Sequence, residues 1–161
     1  MSTPALSLAR VPTLRGLLAT DDRAAPAVAR VALALLLFPH GAQHALGWFG
    51  GYGFAGTLGW MTGTLGFPAP LAALAITVEL LAPLALLVGA AGRLAALGLV
   101  GLMAGAIATH AANGFFMNWF GALPAGAEGF EYHLVVIALA AVVIVDGSGA
   151  LSLDRRLART R

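Results

Sequence analysis

The chain has no cysteine and no lysine, and charged residues fill only 10% of its 161 positions. The missing thiols exclude a disulfide relay, a thiolate nucleophile and cysteine-ligated metal centres. The scarcity of charge excludes a soluble globular domain, in which about a quarter of residues are charged. The formal charge of +2 gives no reason to expect nucleic acid as a partner.

What is present is apolar, 60% of all residues, and it gathers into four stretches at 27–47, 69–90, 94–113 and 131–145. At roughly 20 residues per span these use up most of the length. The last is short but sufficient with tilt or local thinning of the bilayer. The expected fold is therefore all-α: a polytopic membrane four-helix bundle with short helical or re-entrant outer connections. Residues 1–26 read as a cytoplasmic leader, 27–147 as the membrane domain and 148–161 as a basic cytoplasmic tail. Any chemistry must sit inside the bundle or in its connections, with a ligand arriving through lipid or from the bundle mouth.

The charges fix an orientation. All nine basic residues are arginines, placed in the leader and its border (Arg10, Arg15, Arg23, Arg30), in the tight turn between spans two and three (Arg93) and in the tail (Arg155, Arg156, Arg159, Arg161). The two longer connections, 48–68 and 114–130, contain none. The positive-inside rule then puts both termini in the cytoplasm. All thirteen aromatic residues lie between Phe38 and Tyr132, in or beside the two outer connections. An interfacial belt normally occurs at both faces, so the asymmetry predicts an outer cap, with a short helix near 54–65 folded over the bundle mouth.

Ionisable groups inside a span are costly and are functional candidates by default. Glu79 lies near the middle of span two, and Pro83, four residues later, removes the N–H that its carbonyl would accept. Span one carries Pro39, His40, Gln43 and His44, with 40, 43 and 44 on neighbouring faces. Counting rise along the helix puts His40 nearest in depth to Glu79 and makes His44 an interfacial residue. Gly101, Gly105, Thr109 and Asn113 form a small-residue stripe suited to close packing of another helix. His110 lies beside the stripe, and span four opens with Glu131, Tyr132 and His133, where Glu131 also suits a first-turn acid. A short echo, His40 to Gly50 and His110 to Gly121, places a His before a Trp-Phe-Gly triplet twice. The polar set occupies the centre and the outer half, while the inner half is aliphatic. This implies a blind pocket rather than a through-going channel.

The runs Phe38-Pro-His-Gly-Ala-Gln-His44, Gly47-Trp-Phe-Gly-Gly51, Val78-Glu-Leu80, Arg93-Leu-Ala-Ala, Asn113-Gly-Phe-Phe116 and Glu131-Tyr132 resemble the DoxX family of four-span bacterial membrane proteins. The family pattern often has Lys where this chain has His44. The resemblance implies a bacterial inner-membrane protein linked with quinone-coupled sulfur oxidation or with thiol and oxidative-stress responses. On that reading His40, His110 and Glu79 would be the reacting groups. His40 and His110 would bond the quinone carbonyls, Glu79 would relay protons, and Trp48, Phe49 and Phe115 would form the slot. Gln43, His44, Asn113, Glu131, Tyr132 and His133 complete the expected ligand-binding set, with no metal. No flavin, nucleotide or iron–sulfur motif is present, so electrons would come from a partner oxidoreductase. A haem held by His40 and His110 is the minor cofactor alternative. The alternative functions are a binding or transport protein for a small apolar ligand, and a non-catalytic anchor for partner proteins or a homo-oligomer.

Overall fold

The computed structural model describes residue 16, residues 18–124 and residues 127–159. Most of the expected leader, including Arg10 and Arg15, and the terminal Arg161 lie outside the described residues. Four main helices form: α1 (Ala24–Leu46), α3 (Ala69–Val88), α4 (Gly92–His110) and α5 (Glu131–Asp146), with the shorter α2 (Gly53–Gly63) and α6 (Leu153–Arg159). The described residues contain no strand. Helices α1, α3 and the run Gly92–Asn113 are each long and apolar enough to cross a membrane. With 16 residues, α5 is shorter, reaching about 24 Å at 1.5 Å per residue. It packs against α4 and α1, and α3 packs against α1 and α4, so the four helices close a ring.

Each main helix contributes an inward stripe at three- or four-residue spacing: Ala29, Leu33 and Leu37; Ala82 and Leu86; Ala96, Leu99 and Met103; Val136, Ala140 and Val143. This is the periodicity of one helix face. The outward faces are also apolar, with Leu35, Leu81, Leu94 and Val135 exposed, as lipid rather than water demands. The aliphatic core fills the half of the bundle nearer the arginines and leaves the other half for the polar residues.

That arginine-rich end is a built structure. Arg30 is 3% exposed and donates five hydrogen bonds, to the carbonyls of Leu86, Leu87, Ser148, Ala150 and Leu151 at 2.7–3.0 Å. Asp154, 2% exposed, accepts from the backbone N–H groups of Ala91 at 2.7 Å and Gly92 at 2.9 Å and from the Ser148 hydroxyl at 2.6 Å. The C-terminal carbonyls of α3 thus receive a cation and the N-terminal amides of α4 an anion, the sign each helix end favours. Arg93 does the same for α5 through the Ile144 and Val145 carbonyls. Arg30 and Arg93, expected only as topology signals, hold helix ends together, and so does Asp154.

The small-residue stripe on α4 is not covered at Gly101 and Gly105 by another helix among the described residues. Gly101 and Gly105 are exposed, and a Cβ on either would meet nothing within 4 Å. Close approach occurs instead at Gly41, whose Cβ would run into the Glu79 carbonyl and Leu80 Cα, and at Gly92, where it would run into the Ser148 hydroxyl. These sites stand where helices cross or turn, and a stripe at regular spacing does not reveal which face meets a neighbour.

Candidate functional site

The polar half is organised around the crossing of α1 and α3. Pro83 denies the Glu79 carbonyl its helical partner, and Gly41 of α1 lies directly over that carbonyl. Only glycine allows so close an approach. The crossing brings His44 Nδ1 to 2.6 Å from Glu79 Oε2. The His44 side chain is 39% exposed and that of Glu79 14%. The acid therefore has a basic partner, and the partner is His44, not His40. Side chains on a helix lean toward its N-terminus. Because α1 and α3 are antiparallel, the His44 and Glu79 side chains lean toward each other along the bundle axis, which a count of Cα rise misses.

Across the bundle, the His40 ring lies 6.4 Å from that of Tyr132, Tyr132 lies 6.1 Å from His133, and His133 lies 5.0 Å from His110, measured between ring centroids. His110 Nδ1 is 2.8 Å from the Ala106 carbonyl. A carbonyl only accepts, so Nδ1 carries the proton, and the Thr109 hydroxyl lies 3.0 Å from the same nitrogen. His133 is buried, and its Nδ1 makes no hydrogen bond of ordinary geometry; the nearby Phe130 carbonyl is already bonded by the His133 backbone N–H. Glu79, His44, His40, Tyr132, His133 and His110 thus form one polar region to which all four main helices contribute.

The remaining expected residues build its surroundings. Glu131 Oε2 accepts from the Met117 backbone N–H and the Trp119 indole, both at 3.2 Å. The Asn113 amide donates to the Glu128 carbonyl at 2.9 Å, and Glu128 Oε2 accepts from Asn118 N–H at 2.7 Å. Glu131 and Asn113 therefore pin the 114–130 connection. Glu128, given no role by the sequence reading, shares that task. Gln43 reaches the Phe49 carbonyl at 3.4 Å. The edge-to-face contacts among Phe and Trp rings fall into two groups: Phe38, Trp48 and Phe49 in one, and Phe115 with Phe116 and Phe130 in the other. Trp48 and Phe49 belong to the first group and Phe115 to the second. Phe115 lines an open apolar hollow of about 400 Å³ formed by residues of the 113–123 segment. Among the described residues there is no group of three or more His, Cys, Asp or Glu side chains placed to hold a metal ion.

An all-α membrane bundle with a carboxylate and an imidazole paired between two of its helices is the class of protein this defines. The DoxX family model matches residues 25–112, which include His40, Gln43, His44, Glu79 and His110, and the chain belongs to the DoxX family. Neither the curated proteins nor the solved structures give a match to it.

Proposed function

We propose that this DoxX-family protein is a membrane subunit that binds a quinone at the His44–Glu79 pair and exchanges protons with it, while a separate oxidoreductase supplies electrons. The 2.6 Å contact between His44 Nδ1 and Glu79 Oε2, on a partly exposed imidazole, carries this reading. Glu79 holds a proton on Nδ1, which leaves Nε2 for a ligand. A neutral ring accepts there and an imidazolium donates there, and imidazole changes between these states near neutrality. That suits reduction of a quinone, which takes up two electrons and two protons. Entry from the bilayer needs no channel, which agrees with the aliphatic core of the arginine-rich half. A lysine, often found at the His44 position in the family pattern, would offer the same carboxylate a basic partner.

The same reading places the protein in the bacterial inner membrane with both termini and the Arg93 turn on the cytoplasmic side. Because the chain lacks cysteine, Thr64→Cys and Ala158→Cys test the orientation directly. A membrane-impermeant maleimide is expected to label Thr64→Cys in intact cells and Ala158→Cys only after permeabilisation; the opposite pattern overturns it. Binding is tested on purified protein with a short-chain ubiquinone or menaquinone analogue. Saturable binding that is lost in folded His44→Ala and weakened in Glu79→Gln is expected. Equal binding by all three proteins, or no binding by the wild type, overturns the quinone reading.

A further inference from the structure

We propose that the segment Leu151–Arg159, at the end of the bundle opposite the His44–Glu79 pair, is a foot that sits in the headgroup layer and binds anionic phospholipid. The segment is held in place from inside. Arg30 bonds the carbonyls of Ala150 and Leu151, Asp154 anchors the start of α6 to the α3–α4 turn through Ala91 and Gly92, and Arg155 pairs with Asp22. A helix of 7 residues is too short to persist alone in water, so these ties are what fix it.

What they hold outward is apolar and basic. Leu151 is 86% exposed and Leu157 51%. Leu153 and Leu157, four residues apart, share a face of α6, with Arg156 beside them and Arg159 one turn beyond Arg156. Leu151 also adopts φ +54°, a left-handed conformation that glycine takes without strain and leucine does not. An exposed leucine kept in a strained conformation is an outlier that asks for a use of its side chain. Val88 and Val145, at the ends of α3 and α5, are exposed as well, and the Asp154 N–H bonds the carbonyl of Gly89, the residue after Val88. Exposed leucines at the end of an apolar bundle, accompanied by arginines, match an interfacial helix, and the charge selects phosphate-bearing lipids of net negative charge. The inference does not rest on the quinone reading.

The test uses the full chain purified in mild detergent and titrated with phosphatidylglycerol or phosphatidylcholine. Lipid retained by the protein is read by native mass spectrometry and folding by thermal unfolding. The wild type is expected to prefer phosphatidylglycerol, with the preference falling about fivefold for each arginine lost in Arg156→Gln and Arg159→Gln. Leu151→Gly is expected to unfold no lower than the wild type in detergent, because it relieves the left-handed leucine, yet to retain less of both lipids. Equal retention of the two lipids by the wild type, or an undiminished preference in the folded double arginine variant, overturns the proposal. So does complete displacement of phosphatidylglycerol by inorganic phosphate, which would mark a site for free anions.

Discussion

His44 Nδ1 and Glu79 Oε2 meet at 2.6 Å beside the crossing where Gly41 rests on the Glu79 backbone. One pair of helices thus supplies both the acid and its base, and a glycine sets the distance between them. Helix packing and site chemistry are coupled at this point, and the first two predictions follow from that coupling.

Removing either partner should cost about 1–2 kcal/mol of stability, the range for a charge-assisted hydrogen bond discounted for partial exposure of the imidazole. A double-mutant cycle of His44→Ala and Glu79→Ala, read by thermal unfolding in detergent, should return a coupling energy of similar size. His44→Lys should recover most of that coupling, since an ammonium can also reach a carboxylate. A coupling near zero would mean that the two groups do not support each other.

Gly41→Ala should separate α1 from α3, because its new Cβ meets backbone that cannot rotate away. The expected loss is about 1–3 kcal/mol, as for overpacking elsewhere, together with loss of the His44–Glu79 coupling. Gly101→Ala is the contrast. Its Cβ meets nothing, and replacing a mid-helix glycine should be neutral or should stabilise by up to about 1 kcal/mol. Equal destabilisation by both substitutions, again in thermal unfolding, would place a helix or a second copy on the α4 stripe.

Arg30 gives the third prediction. Its five carbonyl partners span the end of α3 and the 148–151 turn, a fan that only a guanidinium can serve. Arg30→Lys keeps the charge but has three donors on one nitrogen, so it should destabilise nearly as much as Arg30→Met. Both should lose about 3 kcal/mol or more, as expected when buried polar groups lose their partner, and should accumulate poorly in membranes. Near-wild-type stability of Arg30→Lys would show that charge alone suffices.

The four apolar stretches were legible because lipid imposes a strong rule on composition, and the main helices begin and end within a few residues of the expected bounds. The tendency of polar residues to gather in one half was legible for the same reason. Pairing was not. His44 meets Glu79 because of a side-chain lean and a crossing at Gly41, neither of which is a local property of sequence. The roles of Arg30 and Asp154 depend on partners far away in the chain, such as Leu86 and Gly92. Arg30 did carry a signal, as a charged residue inside an apolar helix, but its position near the leader hid it among the topology-setting arginines. Asp154, in a tail rich in arginine, gave no comparable sign.

Glu131 ties the last prediction to the mouth of the bundle. Its carboxylate accepts from the Met117 N–H and the Trp119 indole, while the Phe130 and Glu131 amides bond the Gly114 and Phe115 carbonyls. The connection is therefore clamped at its base by backbone and near its tip by two acids, Glu131 on Met117 and Trp119 and Glu128 on Asn118. Glu131→Ala should leave α4 and α5 intact, because their shared core of Leu99, Met103, Val136 and Ala140 lies deeper in the bundle. It should free the tip, so that Trp119 fluorescence, measured in a protein with Trp48 and Trp60 replaced by Phe, becomes more accessible to an aqueous quencher and loses anisotropy. Glu131→Gln keeps one acceptor oxygen and should fall between the two. Unchanged quenching in Glu131→Ala would mean that the backbone bonds together with Asn113 and Glu128 suffice to hold the 114–130 cap, and the acid at the head of α5 would then be left available for ligand or solvent.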